Sequence, residues 1–379
     1  MRKLWYFPLE PYRSRYTCQL SKEKEGWLES RWNQIGLNYE RIEGASLNDD
    51  IKSGSVLDAC GRGYWSCSQV QNFLRKLNEG EISSDDCIYL DDFWTPGIEA
   101  LPYAFHLTGI KPKIFAMLHA QTVDIYDFTY PMRKWMRHFE VGQGNFFDGI
   151  FVTSTCLRDL CLYAGVGSEE TVHITGLPYN SDEVRTHFPG TLPKKKNQII
   201  FTSRWDEEKD PLFFLSIVDE ILESGNDYIN FLVTTSSPEL RSNNPELIDK
   251  VYRYKDKYPD NFDIKINLTK EEYYHNLLES KIQFNCAHQD FVSWTLLEAT
   301  TCGCIPVYPN YLSFPEALQY AYDMMYVKND VQSAANKILQ EINFGGIKYV
   351  DWIYLPYDYS WLRMLNVLQG TQQYPEKDW

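Results

Sequence analysis

The stretch Ile199-Ile-Phe-Thr-Ser-Arg204-Trp-Asp-Glu-Glu-Lys209-Asp-Pro211 passes from an apolar run into a polar loop with two cations. The run is typical of a buried strand, and the residues that follow, Leu212–Glu223, are predicted to be helical. A strand, a loop and a helix in this order form the repeating unit of a parallel α/β fold. In such folds ligands gather at the carboxyl ends of the strands, where this loop lies.

The same alternation runs through the whole chain and predicts an α/β protein. The predicted strands are Lys3–Phe7, Ser55–Ala59, Cys87–Leu90, Lys113–Leu118, Gly149–Thr153, Ile199–Thr202, Ile229–Thr234, Phe262–Ile266, Ile282–Asn285 and Ile305–Tyr308. The predicted helices are Gln69–Leu77, Gly97–Leu107, Leu157–Tyr163, Leu212–Glu223, Glu246–Lys257, Lys270–Leu278 and Ser293–Thr301.

At 379 residues, two domains are expected, because single cores stop growing well before this length. We predict an N-terminal Rossmann-like domain at 1–186, a linker at 187–198 and a C-terminal Rossmann-like domain at 199–350. The linker is polar, with two prolines and three consecutive lysines that are expected to be solvated. The aromatic-rich tail, 351–379, is expected to pack back on the N-terminal domain.

Composition excludes several classes of protein. A net charge of −15 and a pI of about 5.0 argue against general nucleic-acid binding, although a local basic face remains compatible with them. No signal peptide and no membrane span are predicted. Nine cysteines suggest reduced thiols and a cytoplasmic location, which is the host cytoplasm if the protein is viral. No cluster of cysteine and histidine predicts a metal site.

A second motif, Asp290-Phe-Val-Ser-Trp-Thr-Leu-Leu-Glu298-Ala-Thr-Thr-Cys-Gly303, places two carboxylates on either side of a helix start. Ser293 and Thr295 lie where the free N–H groups of that helix would attract an anion. Together with Arg204 and Lys209, the motif offers counter-charge for phosphates and acceptors for hydroxyl groups. The sequence therefore predicts a site for a nucleotide diphosphate-sugar.

Both motifs resemble the retaining, GT-B-fold glycosyltransferases of the large family-4 type. Arg204 and Lys209 have that family's five-residue offset, and Asp290-x7-Glu298 followed by Ala and Cys-Gly matches its second acidic motif. The resemblance covers about residues 110–320. This chain departs from the family at Asp290, where a Glu is usual, and the shorter acid suggests a smaller sugar such as a pentose.

The resemblance implies a transferase with two domains across a cleft, the second of which binds a UDP-sugar without an obligatory cofactor or metal. It implies that Arg204 and Lys209 hold the diphosphate and that Asp290 and His119 orient the sugar. Glu298 would bind the ribose, and the remaining donor-binding residues would be Ser203, Ser293, Trp294 and Thr295. A simpler interpretation of the residues is that the cations pair with Asp206–Glu208 at the surface and that Glu298 is a charge at the helix start.

Two segments that mix cations and rings predict an acceptor with phosphates and unstacked bases. Their candidate residues are Tyr12, Arg13, Arg15 and Tyr16 in the first segment and Arg133, Lys134 and Arg137 in the second. Asp91, Asp92 and Trp94 end a strand and could shape the same site, with one of the carboxylates as a general base. Each segment could equally be a solvated face.

A second resemblance concerns the acceptor. The segment His119-Ala-Gln-Thr-Val-Asp-Ile-Tyr-Asp-Phe128 resembles glycosyltransferases of T4-like bacteriophages, which implies hydroxymethylcytosine in viral DNA as the acceptor. The alternatives are a bacterial surface glycan or small metabolite as the acceptor, and a non-catalytic nucleotide-sugar-binding protein.

Overall fold

Short apolar runs form the strands of two parallel six-stranded sheets in the computed structural model. The structure describes residues 2–10, 12, 21, 24–28, 38–48, 58–119, 122–240, 242, 244–344 and 348–370. The chain divides into two units: Met1–Pro178 with Ser360–Trp379, and Tyr179–Tyr359. Since the central strands are buried on both faces, they read as continuous hydrophobic runs rather than alternating ones.

The first unit contains one sheet in the order β2-β1-β3-β4-β5-β6. Its strands are β1 (Lys3–Phe7), β2 (Asn38–Arg41), β3 (Cys87–Leu90), β4 (Lys113–Met117), β5 (Gly149–Val152) and β6 (Val172–Ile174). The first segment of this unit contains the helices α1 (Ala59–Asn78), α2 (Ala100–Thr108), α3 (Arg133–Phe146) and α4 (Thr155–Tyr163). Residues 24–28 are also helical.

The second unit contains the other sheet, in the order β12-β11-β10-β7-β8-β9. Its strands are β7 (Lys196–Phe201), β8 (Asn230–Thr234), β9 (Phe262–Lys265), β10 (Ser280–Phe284), β11 (Ile305–Pro309) and β12 (Met325–Tyr326). Its helices are α5 (Ser181–Thr186), α6 (Pro211–Glu223), α7 (Pro245–Lys257), α8 (Lys270–Glu279), α9 (Trp294–Thr301), α10 (Phe314–Ala317), α11 (Val331–Asn343) and α12 (Asp351–Asp358).

The chain ends on the first unit with α13 (Ser360–Gln369). The ring of Trp361 stacks on Trp27 at 5.0 Å, and Arg363 Nε donates to the Thr175 carbonyl at 2.9 Å. The prediction that the tail packs on the N-terminal domain is confirmed for this helix. Residues 351–359, which the sequence placed in the tail, group with the second unit instead.

The predicted strand Ser55–Ala59 is wrong at the end that the structure describes. Ala59 is the first residue of α1, and the Asp58 carboxylate accepts from Gly61 N at 3.0 Å as the N-cap. An aspartate that caps free N–H groups favours the start of a helix over an extended strand. Residues 55–57 lie outside the described residues. The other predicted strands are present, with ends that move by up to three residues.

The lysine run in the predicted linker has a structural role. Lys195 Nζ donates to the carbonyls of Leu277 and Cys302, at 3.0 and 2.8 Å, near the carboxyl ends of α8 and α9. Lys196 already belongs to β7, and its ammonium pairs with Glu279 at 2.7 Å. Cations are favourable at helix carboxyl ends, where carbonyl groups lack helical partners. Two of the three lysines are therefore bound within the second unit rather than freely solvated.

Candidate functional site

The candidate site of the second unit lies where the order of its sheet reverses. The chain leaves β7 toward β8 on one side and leaves β10 toward β11 on the other. The loops that follow β7 and β10 are therefore neighbours at the carboxyl edge of the sheet, the usual place of ligand sites in open α/β folds. His288 N donates to the Glu208 carbonyl at 2.9 Å, and Cys286 Sγ lies 3.3 Å from the Lys209 carbonyl oxygen.

The two predicted phosphate-binding cations lie at this edge, together with Asp290. The Arg204 guanidinium donates to the carboxylates of Asp206 and Glu208. Lys209 Nζ lies 3.7 Å from Asp290 Oδ2 and 3.7 Å from Glu208 Oε1. The simpler interpretation, that the two cations form ion pairs near the surface, thus describes these contacts of Arg204 and Lys209. Surface pairs contribute little free energy, so phosphate oxygens can replace these carboxylates at small cost.

The predicted helix after Asp290 is confirmed as α9, with Ser293 as its N-cap residue. Ser293 Oγ shares a hydrogen bond of 2.8 Å with Thr295 Oγ1, and Ser313 Oγ donates to the Asp290 carbonyl at 2.8 Å. The ring of Trp294 packs edge-on against Tyr179 at 5.6 Å. Hydrogen bonds on both sides thus fix the loop that carries Asp290. The remaining donor candidate, Ser203, is half-buried after β7.

Glu298 is buried in the second turn of α9, so it is not a surface charge at the helix start. Its Oε1 accepts from Lys270 Nζ and from the Tyr274 hydroxyl, each at 2.8 Å. Lys270 and Tyr274 lie four residues apart on one face of α8, and the sequence reasoning missed both. The capping box at Thr269 and Glu272 marks the start of α8 in the sequence. It does not show that side chains of α8 bind Glu298.

A second cluster, which the sequence analysis missed, connects the loops that follow β7 and β10. Lys328 Nζ donates to the carbonyls of Cys286 and Ala287, at 2.6 and 3.2 Å, and lies 3.7 Å from Asp210 Oδ2. Burial lowers the pKa of Lys328, although the nearby Asp210 acts in the opposite direction. Asp210 has a positive φ of 50° and caps α6 through its carboxylate. This cluster fixes both loops on which Arg204, Lys209 and Asp290 lie.

The first unit has its own reversal of strand order, between β1 and β3. Asp91 follows β3 and is buried with Lys24, with which it forms an ion pair. The Tyr6 hydroxyl donates to the same carboxylate at 2.7 Å. Burial, and next the Asp91 carboxylate, raise the pKa of Tyr6 and of Tyr89 well above the ordinary range. Asp91 is thus held inside the fold, a position that does not suit the predicted role of general base.

The neighbouring Asp92 is held by Arg62. The Arg62 guanidinium donates to Asp92 Oδ2 at 3.1 Å, to Glu10 Oε2 at 2.8 Å and to the Trp94 carbonyl at 2.6 Å. Arg62 lies in the first turn of α1 between two glycines. These bonds fix the loop after β3 to the start of α1.

His119 follows β4, as the sequence predicts. Its Nε2 lies 2.9 Å from the Asp91 carbonyl oxygen, and because a carbonyl can only accept, Nε2 carries the proton. Burial lowers the pKa of His119, against the opposite effect of Asp92. At neutral pH the imidazole is therefore neutral, with Nδ1 as an acceptor.

The remaining acceptor candidates belong to the first unit or lie outside the described residues. Tyr12 is buried, and its hydroxyl donates to Asp58 Oδ2 at 3.0 Å, whereas Arg13, Arg15 and Tyr16 lie outside the described residues. Arg133 and Lys134 are exposed at the start of α3, and Arg137 Nε donates to Thr122 Oγ1 at 3.3 Å. Trp94 contacts the α3 residue Trp135 edge-on at 6.5 Å.

Within the ranges given above, no group of three or more His, Cys, Asp or Glu side chains is arranged to hold a metal ion. Among the helices of those same ranges, none is both long and apolar enough to cross a membrane.

No protein-family model matches the chain, whereas curated proteins match part of it at low identity. The tRNA-queuosine alpha-mannosyltransferase of Drosophila melanogaster is 26% identical over 171 residues. The match covers 45% of this chain and 41% of that relative, so less than half of either protein is compared.

Solved structures share the fold at still lower identity. Sucrose-phosphate synthase from Thermosynechococcus elongatus has a TM-score of 0.66 at 11% identity, with 98% of this chain and 99% of that chain covered. A trehalose-6-phosphate synthase, studied for glycosyl transfer with retention, has a TM-score of 0.65 at 12% identity, with 98% and 99% covered. TarM from S. aureus, in complex with UDP, has a TM-score of 0.53 at 14% identity, with 79% and 55% covered. The chain therefore has the GT-B fold.

Proposed function

We propose that this chain transfers a sugar, with retention, from a UDP-sugar to a hydroxyl group on a modified base of nucleic acid. The observation that carries the donor half of the proposal is the pairing of Lys209 with Asp290 at 3.7 Å, beside Arg204, where the sheet order reverses. Cations for a diphosphate and an acceptor for sugar hydroxyls lie together there. No obligatory cofactor or metal is part of the proposal.

Each donor-site residue has a role that follows from its surroundings. Arg204 and Lys209 would exchange their carboxylate partners for the two phosphates, helped by the N-terminus of α9 at Ser293. Glu298, held by Lys270 and Tyr274, would accept from the ribose hydroxyls. Asp290 would accept from the donor sugar, where its short side chain favours a pentose over a hexose.

The proposed chemistry is a front-face displacement. The bond from the anomeric carbon to the phosphate oxygen breaks, and a bond from the same face to the acceptor oxygen forms. The acceptor's proton passes to the departing phosphate, so no carboxylate base is needed, in accord with the internal ion pair of Asp91. Neutral His119 would accept a hydrogen bond from the sugar at Nδ1. Arg204 and Lys209 stabilise the charge that grows on the diphosphate.

The acceptor has two sources with the same chemistry, a hydroxyl group on a modified base. The resemblance at His119–Phe128 supports hydroxymethylcytosine in phage DNA, and the basic start of α3 offers charge for its phosphates. The curated relative, by its name, acts on queuosine in tRNA, and this favours a modified tRNA base. The nine cysteines, which suggest reduced thiols, fit a cytoplasm in which either acceptor meets the donor.

The test is mass spectrometry of nucleosides after incubation with a panel of UDP-sugars. Hydroxymethylcytosine DNA, queuosine-containing tRNA and the unmodified forms of both are the four acceptors. A mass gain on one modified nucleoside identifies the acceptor, and its size identifies a pentose or a hexose. Donor hydrolysis with no adduct would overturn the nucleic-acid acceptor and leave a glycan or metabolite. The absence of both donor hydrolysis and UDP binding would overturn the donor assignment.

A further inference from the structure

The outer face of α3 carries aromatic rings that the fold leaves half in solvent. Trp135 is 53% exposed and Phe139 is 48% exposed. Their rings meet edge to face at 6.0 Å, and Trp135 meets Trp94 in the same way at 6.5 Å. Trp94, Trp135 and Phe139 therefore form a row of three rings, which we call the α3 ring row. The row begins in the loop after β3, at the edge of the sheet where ligands gather.

The ring planes favour stacking by a ligand. The planes of Trp94 and Trp135 differ by 77°, and those of Trp135 and Phe139 by 80°. Rings that meet at such angles do not cover each other's faces as parallel rings do, so an unpaired base can stack on an exposed face. Packing alone does not account for exposed rings of this size, because about half of each side chain remains in water.

The first two turns of the same helix carry cations. Arg133 and Lys134 are exposed in the first turn of α3, and Arg137 lies one turn further. The Arg133 guanidinium lies 4.1 Å from the Tyr130 ring. The helix has one carboxylate, Glu140, which is buried, accepts from Thr122 N at 2.6 Å and lies 3.9 Å from Arg137 Nε. The exposed start of the helix, at Arg133 and Lys134, is thus basic in a chain whose net charge is −15.

We propose that the α3 ring row binds unpaired nucleotides, with bases on Trp135 and Phe139 and phosphates at Arg133 and Lys134. This inference rests on the proposed nucleic-acid acceptor and adds the part of the molecule that holds it. A basic helix with exposed rings is also compatible with an anionic membrane surface. The ring row favours nucleic acid, because it continues off the helix to Trp94 at the ligand edge of the sheet.

The test is fluorescence anisotropy with a labelled, unmodified single-stranded RNA and DNA oligonucleotide and with the duplex of the same sequence. Loss of one stacked base should weaken single-strand binding roughly 5- to 150-fold in Trp135→Ala. Trp135→Tyr should retain most of the affinity, and the duplex should bind less tightly than the single strands. The matched control is Tyr163→Ala, which removes an almost fully exposed ring at the end of α4 in the same unit.

Three outcomes would overturn the inference. The first is that the wild-type protein fails to bind the oligonucleotides, and the second is that Trp135→Ala binds them as tightly as the wild type. The third is that Tyr163→Ala loses as much affinity as Trp135→Ala. Binding to phosphatidylserine vesicles that Trp135→Ala abolishes, without oligonucleotide binding, would assign the face to a membrane. Calorimetry of UDP binding to the wild-type protein separates this failure from failure of the proposed donor site, since UDP does not need α3.

Discussion

Charged residues lie at both reversals of strand order in this chain, but they differ in solvent exposure. In the second unit, Arg204 is 41% exposed, and its carboxylate partners lie within the same loop. In the first unit, Lys24 is 0% exposed and Asp91 is 1% exposed. One site thus holds its charges at the surface, and the other encloses them in the fold.

This difference separates binding from support. Charges that water can reach can change partners, so the second unit can exchange carboxylates for phosphates with little loss. A buried pair cannot separate without leaving an uncompensated charge in a medium of low dielectric constant. We therefore expect the first cluster to act on stability and the second to act on turnover.

The largest expected effect is on stability, in Lys24→Met. This substitution leaves the Asp91 carboxylate buried without its cation, which typically costs about 3–5 kcal/mol of unfolding free energy. Urea unfolding followed by tryptophan fluorescence measures it. The double variant Lys24→Met with Asp91→Leu should recover most of the loss, because an apolar pair of similar volume tolerates burial. A loss below about 1 kcal/mol in the single variant would contradict the enclosed state of this cluster.

The next effect is on turnover, in Arg204→Ala. Removal of one group that stabilises developing charge should raise the barrier by about 2.7–4 kcal/mol, a rate loss of roughly 100- to 1,000-fold. The stability should change by less than about 0.5 kcal/mol, as for other surface substitutions. Lys257→Ala is the matched control, since Lys257 is also exposed and pairs with two carboxylates, Asp219 and Glu223. Full turnover in Arg204→Ala would remove the donor assignment.

The sequence predicts those parts of the molecule that depend on neighbours along the chain. Arg204 and Lys209 belong to one unit of strand, loop and helix, and Asp290 and Glu298 belong to the third such unit after it, so local pattern placed each residue in the loop or helix that follows a strand. The edge strand β2 is polar and partly exposed and gives no apolar run, and β12, of two residues, is too short for a periodic signal. Helix α3 is also absent from the sequence prediction, since its cations indicated a basic surface rather than an element.

The partners of the site residues depend on strand order, which local pattern does not specify. Lys24 and Asp91 are 67 residues apart in the chain, and Lys328 and Cys286 are 42 apart. Nothing in the sequence around Lys328 distinguishes it from a surface lysine. The supporting network therefore becomes visible only when the strands are assembled.

Lys328→Met tests whether the second site depends on buried support as well. The substitution leaves the carbonyls of Cys286 and Ala287 without their donor, a loss of about 1–3 kcal/mol. Because these residues begin the loop that carries Asp290, the KM for the donor should rise more than kcat falls. Lys328→Arg should restore part of the loss by supplying donors again. Equal stability and an unchanged donor KM in Lys328→Met would show that the loop holds its position without the ammonium group.

The smallest expected effect is a pH dependence of the unfolding free energy that comes from a buried residue of the first unit. Burial lowers the pKa of His173 in β6, so below its ordinary value of about 6.5 the unfolded chain binds a proton that the folded chain does not. Stability is therefore complete above that pH and falls as the pH drops through the window below it, by at most about 1.4 kcal/mol per pH unit. Urea unfolding at pH 7.5 and 5.5 measures this loss, and His173→Gln should reduce it. If the variant loses as much stability as the wild type on acidification, His173 does not carry a proton-linked share of the first unit's stability. The acid sensitivity would then be assigned to His119 and His288, whose pKa values burial also lowers.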